Sequence, residues 1–252
     1  MKVSVLETSD AMAKAAAEAA ARILREAIAR KGPAAFIAAT GASQFDFLKY
    51  LVAAPGIAWE RTTMFHLDEY IGFSADHPAS FRRYLRERLT SRVTIGTVQF
   101  IEGDSPDLQQ ELGRLNRLLA ATPIDVAFVG IGENGHLAFN DPPADFEVEV
   151  PYLIVNLDDA CRRQQFGEGW FASLADVPTR AISMSVRQIM KSGNIICTVP
   201  ERRKAQAVKA CLEGEIGPMV PASILRRHAG CLFFLDREAA SLLSPSTLMA
   251  WS

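Results

Sequence analysis

The chain has 252 residues, which is enough for one large domain or two small ones. Apolar residues make up 49% and charged residues 22% of the chain, a composition that argues against a disordered protein. The net charge is −2, from 27 Lys and Arg against 29 Asp and Glu, so we expect no nucleic-acid partner.

The four cysteines predict neither a disulfide framework nor a metal site. None stands in a CxxC pair or at zinc-ligand spacing from a histidine, so we expect reduced, buried thiols and no metal. The N-terminal segment has charged residues where a signal peptide needs an apolar run, and no apolar stretch reaches ~18 residues. These features predict a cytoplasmic protein with no membrane partner.

The first half of the chain alternates between helical and strand patterns. Apolar residues at helical spacing predict a first helix that is capped by Ser9 or Asp10 and stopped by Lys31-Gly32-Pro33. The segments predicted after it are a strand at Ala34–Ala39, a helix at Ser43–Val52, a strand at Thr63–Leu67, a helix at Phe81–Leu89, a strand at Val98–Ile101, a helix at Leu108–Leu119 and a strand at Asp125–Ile131.

The second half continues the alternation. We predict strands at Ala181–Val186, Asn194–Val199 and Cys231–Leu235, and a helix at Arg202–Leu212. Strands that alternate with helices predict a mostly parallel sheet between helical layers, a Rossmann-like α/β sandwich. No stretch of linker composition divides the chain, so a single domain over residues 1–252 is expected.

Residues 142 to about 177 are the exception, because their periodicity is weak. A long segment of this kind inside a compact domain is often a lid over a site. The alternative is an ordinary surface segment that covers no site, and both interpretations stay open.

Two predicted strand ends suit an anion, and ligands of open α/β sheets bind beyond the carboxyl ends of strands. The turn Thr40–Ser43 leads from a strand into a helix, with free N–H groups and two hydroxyls. The segment Arg202–Lys204 places three cations at a helix N-terminus, which is unfavourable unless an anion binds there. A glycine needed only for the turn, and a solvated charge run, are the alternatives.

Two other strand ends carry candidate acid and base groups. Asp68 and Glu69 are adjacent, so one could face a cleft while the other points away, and Asp68 is the better base because it lies nearer the strand. His136 follows a glycine-rich strand end, with Asp141 five positions later. A lone histidine is more often structural, but this context favours an acid/base role.

The motifs at these positions resemble those of glucosamine-6-phosphate deaminases. LDEYIG followed by DHPASF resembles the family's DEYVG…HPxSY signature, and GIGENGHLAFNDPP resembles GxGxDGHIAFNEP. The resemblance extends to the TGAS turn, to the VP before AISMSV and to ERRKAQAVKACLEG, in order along nearly the whole chain. It implies an α/β sandwich that converts glucosamine 6-phosphate and water into fructose 6-phosphate and ammonia, with no cofactor or metal.

The resemblance also implies a role for individual residues. Asp68 aligns with the carboxylate that takes a proton from C2 and returns it to C1. His136 aligns with the group that opens the sugar ring, and Asp141 with a glutamate that supports this histidine. Asn134 belongs to the same catalytic motif. The residues implied to bind the substrate or its phosphate are Thr40, Gly41, Ala42, Ser43, Lys204, Glu69 and Gly135.

Several residues depart from the family pattern. Asn134 stands where many members have aspartate, and Asp141 is one methylene shorter than the usual glutamate. The lid arginine that members use for phosphate aligns with Gln165, and Arg162 or Arg163 are candidate substitutes. Ser-Gln replaces the usual Thr-Pro after the glycine turn. A different hexosamine phosphate, such as the galactosamine epimer, therefore stays open.

Two other functions compete with deamination. One is a 6-phosphogluconolactonase, whose signature GxGxDGHTASLFP is less similar to the residues after His136. The other is a sugar-phosphate sensor, which needs a DNA-binding helix-turn-helix, whereas the first predicted helix leads directly into the sheet. The resemblance leaves the oligomeric state open, so a homo-oligomer is possible.

Overall fold

Two β-sheets organise the structure, a computed structural model that describes residues 1–251. The larger sheet is parallel, with strand order β1-β10-β9-β6-β2-β3-β5, and the smaller is antiparallel, with order β4-β8-β7. The strands are β1 (Lys2–Leu6), β2 (Ala34–Ala38), β3 (Thr62–His66), β4 (Asp68–Tyr70), β5 (Thr97–Gln99), β6 (Val126–Val129), β7 (Tyr152–Asn156), β8 (Arg180–Met184), β9 (Asn194–Val199) and β10 (Cys231–Asp236).

Helices cover both faces of the parallel sheet. They are α1 (Ser9–Lys31), α2 (Phe45–Ala53), α3 (Phe81–Leu85), α4 (Leu108–Ala120), α5 (Asp159–Gly167), α6 (Val186–Ile189), α7 (Ala205–Glu213) and α8 (Pro245–Trp251). The cap of α1 is Thr8 rather than the predicted Ser9 or Asp10, since its Oγ1 accepts the Ala11 N–H at 3.2 Å. Among the described residues, no helix combines the length and the apolar character needed to cross a membrane.

The central strands are buried on both faces, which explains their continuous apolar runs. Along β2, Phe36 packs with α1 and α2 in one layer, whereas Ile37 packs with α4 and α7 in the other. Val126 and Ala127 alternate in the same way on β6. Strands of parallel sheets covered by helices typically read as unbroken hydrophobic runs. The predicted mostly parallel α/β fold is therefore confirmed.

The small sheet accounts for the main difference from the predicted elements. Residues 181–186, predicted among the parallel strands, contain β8, which pairs with β7 and β4 in the antiparallel sheet. The weakly periodic segment 142–177 contains β7 and α5. The residues of β7 are mostly half-buried, so its hydrophobic pattern is too weak to identify from sequence.

Asp68 lies where the chain passes from one sheet to the other. The Leu67 N–H donates to Ala38 O of the parallel sheet at 3.1 Å, and the Leu67 carbonyl accepts the Met184 N–H at 3.0 Å. Asp68 is the first residue of β4 and pairs with Ser183. The crossing thus places a carboxylate beyond the carboxyl end of β3.

Candidate active site

The carboxyl ends of β2, β3, β6 and β9 open onto one cleft. Ligands of open α/β sheets bind at this edge of the sheet. The predicted site residues that line this cleft are Thr40, Gly41, Ala42, Ser43, Asp68, His136 and Lys204. The predicted residues outside its lining are Glu69, Asn134, Gly135 and Asp141.

The turn after β2 is held in place by a buried glutamine. Gly41 has a φ of +92°, and its carbonyl accepts the Tyr84 hydroxyl at 2.9 Å. The Gln44 Nε2 group donates to Thr198 Oγ1 at 2.7 Å and lies 3.2 Å from Ser43 Oγ. Gln44 therefore ties the turn to β9, a role that the sequence pattern did not reveal.

Asp68 is buried at the cleft with its carboxylate free of partners. It is 6% exposed, and no described residue forms a hydrogen bond or an ion pair with its side chain. Burial, followed by the neighbouring charge of Glu69, raises its pKa to about 8. A carboxyl group with a pKa this near neutrality is suited to proton transfer.

Glu69 points away from the cleft, so the structure does not place it at the substrate as the sequence suggested. Its carboxylate accepts the backbone N–H groups of Tyr70, Phe81 and Arg82 at 2.8–3.1 Å and the Ser80 hydroxyl at 2.9 Å. Burial raises the pKa of Glu69, and these hydrogen bonds oppose the shift. The physical reason for the difference is strand alternation, which sends adjacent side chains to opposite faces.

A glycine allows the His136 ring to lie against the backbone of the loop. A Cβ atom at Gly132 would come within 2.4 Å of the ring atoms Cε1, Nδ1 and Nε2. The loop closes on itself, because the Gly132 N–H donates to the His136 carbonyl at 3.0 Å. Gly132 therefore fixes where the imidazole stands at the cleft, and residues 130–132 were noted in the sequence only as a turn.

Asp141 supports His136 from behind the cleft. Its Oδ1 lies 3.1 Å from His136 Nδ1, at ion-pair distance but off the line of an ideal hydrogen bond. Burial alone would raise the pKa of Asp141, but the contacts with His136, the Asp158 N–H and Asn134 hold that pKa below its usual range. The carboxylate therefore stays ionised and orients the imidazole.

Asn134 does not line the cleft. Its contacts explain why an amide stands at this position, where many family members have an aspartate. Its Nδ2 donates to Asp141 at 3.1 Å and to Asp158 at 3.3 Å, while its Oδ1 accepts the His136 N–H at 3.0 Å. An aspartate here would place three carboxylates together, which is electrostatically unfavourable. The neighbouring Gly135 contributes only backbone, with its carbonyl accepting the Ala222 N–H at 2.9 Å.

Lys204 lines the same cleft as Asp68 and His136. It lies in a 3₁₀ turn, Arg202–Lys204, before α7, so the predicted long helix begins later, at Ala205. Glu201 precedes this turn and has a φ of +78°. Its backbone N–H donates to the Asp236 carboxylate at 3.0 Å. Lys204 is 5% exposed, and burial lowers its pKa to about 8.

The helix α5 forms the roof of the cleft and contributes residues that were not predicted as site residues: Gln164, Gln165 and Glu168. The candidate arginines are elsewhere. Arg162 donates to the carbonyls of Leu174 and Val177, and Arg163 does not line the cleft. Two signals pointed to this helix: the weak periodicity of residues 142 to about 177, which predicted a lid or an ordinary surface segment, and the alignment of Gln165 with the family's lid arginine.

Among the described residues, His136, Asp141 and Cys161 offer ligand atoms within 4.8 Å of one another. Burial raises the pKa of the Cys161 thiol, so it stays protonated. Metals bind the thiolate, not the thiol. This group is therefore better suited to orienting His136 than to holding a metal.

Comparisons with known proteins agree with this architecture. A family model described as glucosamine-6-phosphate isomerases/6-phosphogluconolactonase matches residues 7–234. The chain is 31% identical over 243 residues to a glucosamine-6-phosphate deaminase of Lactobacillus delbrueckii subsp. bulgaricus, with 96% of this chain and 100% of the relative covered.

Two solved structures have the same fold. One is a monomeric glucosamine-6-phosphate deaminase with a TM-score of 0.87 and 30% identity, covering 96% of this chain and 100% of that chain. The other is a 6-phosphogluconolactonase from Trypanosoma brucei, with a TM-score of 0.79, 19% identity, and coverage of 96% of this chain and 98% of that chain. At 19% identity the second likeness concerns the fold alone.

Proposed function

The chain belongs to the family of glucosamine-6-phosphate isomerases and 6-phosphogluconolactonases, and we propose that it deaminates and isomerises a 2-amino-2-deoxyhexose 6-phosphate. The observation that carries the proposal is that Asp68, His136 and Lys204 line one cleft at the carboxyl ends of the strands. The substrate is glucosamine 6-phosphate or an epimer of it, and the products are a ketohexose 6-phosphate and ammonia.

The anion end of the cleft binds the phosphate in this proposal. The turn Thr40–Ser43 supplies backbone N–H groups and two hydroxyls, and Lys204 supplies the cation. Because the phosphate is remote from C1 and C2, this end anchors the substrate without taking part in the proton transfers. Arg203 lines the same end but is engaged with Glu201 at 2.5 Å.

His136 opens the sugar ring in the proposed reaction. The C1 hydroxyl loses a proton as the ring oxygen gains one, so a single group must both accept and donate near neutral pH. The imidazole lines the cleft, and the Asp141 carboxylate lies 3.1 Å from its Nδ1 and orients the ring. Asn134 and Asp158 hold Asp141 in that position.

Asp68 then moves a proton from C2 to C1. Together with the loss of one proton from the nitrogen and the gain of one by the C1 oxygen, the transfer converts the open-chain 2-amino aldehyde into a 1-hydroxy-2-imino compound, which water hydrolyses to the ketone and ammonia. No electrons are exchanged with a cofactor in this sequence of steps. A carboxylate that no protein group engages is free to reach both carbons, and a well-placed base contributes about 10²–10⁴-fold to the rate.

Two assays on the purified protein test the proposal. The first measures ammonia release from glucosamine 6-phosphate and galactosamine 6-phosphate, with unphosphorylated glucosamine as the control. The second measures hydrolysis of 6-phosphogluconolactone. We expect ammonia from a phosphorylated hexosamine and no lactone hydrolysis, while the reverse result would assign the protein to the lactonases.

A further inference from the structure

The roof of the cleft carries a carboxylate that the proposed reaction does not use. Glu168 follows α5, within the segment Gly167–Gly169. Its Oε2 is buried without a hydrogen-bond partner, and its Oε1 accepts only the Gln164 amide, at 3.4 Å. A Cβ atom at Gly41 would lie 3.9 Å from Oε2. The unpartnered oxygen thus faces the turn that is proposed to bind phosphate.

Glu168 and Lys204 line the same end of the cleft without forming an ion pair within 4.0 Å. The Glu168 charge nevertheless favours the protonated form of Lys204 and raises its pKa against the lowering effect of burial. Arg203 cannot serve in its place, because its guanidinium pairs with Glu201 and with Glu133 at 3.1 Å. Lys204 and Glu168 therefore face the same small volume of the cleft without contacting each other.

A phosphate dianion in that volume would lie against the Glu168 carboxylate as well as against Lys204. Like charges that close together in a partly buried site cannot both remain ionised without a large cost. A buried anionic oxygen with no donor of its own is also costly, so the side chain gains by leaving this position when phosphate enters.

The surroundings leave room for that movement. Glu168 stands between Gly167 and Gly169, and no described atom lies within 4 Å of where a Cβ of either glycine would be. The backbone N–H groups of Glu168 and Gly169 donate to the carbonyls of Gln164 and Phe166 at 3.1 and 3.0 Å, so the movement is one of the Glu168 side chain. By contrast, the Gln165 side chain is fixed by the Tyr70 hydroxyl at 2.7 Å.

We infer that the Glu168 carboxylate competes with the substrate phosphate for the anion end of the cleft. It occupies the approach to the Thr40–Ser43 turn and must be displaced before a phosphate binds. The inference rests on the proposed function, since it assumes that this end takes the phosphate. It predicts that the Glu168 carboxylate weakens the affinity of the wild-type protein for phosphate.

Titration of inorganic phosphate into the purified protein by calorimetry tests this directly, because it requires no turnover. Glu168→Gln should lower the phosphate Kd by at least tenfold, and Glu168→Ala should do the same if the glutamine side chain disturbs the loop. Asp159→Asn is the matched control: it removes one carboxylate from the same helix at a side chain that is 75% exposed, and should change Kd less than twofold. Lys204→Met should weaken phosphate binding both in the wild-type protein and in Glu168→Gln.

Equal or weaker phosphate binding by both Glu168 variants would overturn the inference. The proposed function fails in a different way, through the absence of ammonia release by the wild-type protein. A tighter phosphate Kd in Glu168→Gln without any deamination would support the competition and reject the reaction.

Discussion

The two ends of the cleft are built in different ways. At the chemical end, His136 is fixed by the close approach of Gly132, by the Asp141 carboxylate 3.1 Å from its Nδ1 and by the hydrogen bond from its backbone N–H to Asn134. At the anion end, Lys204 and Glu168 face the same space without pairing. The first end has its geometry set by contacts within the chain, whereas the second holds charges that a ligand must satisfy.

This difference predicts that substitutions at the two ends affect different kinetic constants. A change at the chemical end displaces a reacting group and should lower kcat, since binding of the remote phosphate is untouched. A change at the anion end should alter KM, because the phosphate anchors substrate and transition state alike.

The largest effect is expected for Asp68→Asn, which removes the proposed base and keeps the shape of the side chain. We predict a fall in kcat of about 10²–10⁴-fold with an unchanged Kd for inorganic phosphate. Steady-state ammonia release and phosphate titration measure the two quantities. Asp76→Asn, at an exposed carboxylate outside the cleft, is the control and should behave as wild type.

Gly132→Ala should have the next largest effect, because the Cβ of the new alanine would lie 2.4 Å from atoms of the His136 ring. Displacement of a catalytic group by about 1 Å costs on the order of 10² in rate, so we expect kcat to fall by that factor. Gly217→Ala is a matched control, since no atom lies within 4 Å of the added methyl group. Equal activity in both variants would remove Gly132 as a positioning residue.

The pH dependence of kcat/KM should reflect one titrating group from each end of the cleft. Asp68 must be ionised to act as the base, so activity should rise with pH up to its pKa of about 8. Lys204 must be protonated to hold phosphate, so activity should fall above its pKa, also about 8. A narrow maximum near pH 8 is expected, and a flat profile from pH 6 to 10 would contradict it.

The smallest expected effect concerns stability. The folded protein keeps a proton on Asp68 up to about pH 8, whereas the unfolded chain releases it near pH 4, so wild-type stability falls as pH rises between those values. Asparagine does not titrate. The free energy of unfolding of Asp68→Asn should therefore increase relative to that of the wild type as the pH rises through that window.

Urea denaturation of both proteins at pH 5, 6 and 7 measures this gain. A constant difference between them across that range would mean that Asp68 has an ordinary pKa in the fold. Asp76→Asn again serves as the control, and its stability should parallel that of the wild type.

The parallel sheet and the cleft at its edge were predictable from sequence, because unbroken apolar runs such as that of β2 occur mainly in strands covered on both faces. The positions of Asp68, His136 and Lys204 followed from strand ends and from motif resemblance. The antiparallel sheet was not predictable, because β7 is half-buried and its pattern is weak.

The supporting contacts were also beyond sequence analysis. The hydrogen bonds that hold Glu69 away from the cleft come from residues 80–82 and depend on the path of the chain between β4 and α3. The Gln44 anchor joins residues 154 positions apart, and the contact between Gly132 and the His136 ring depends on the path of one loop. Such relations arise from tertiary structure, and no local pattern encodes them.

The proton transfer by Asp68 is the central claim, and exchange of the C2 proton of glucosamine 6-phosphate in D₂O tests it most directly. Proton NMR should show loss of the C2 proton and deuterium in the ketose product with the wild-type protein. Asp68→Asn should show no exchange while it still binds inorganic phosphate. Full exchange by Asp68→Asn would contradict the account and assign the proton transfer to another group.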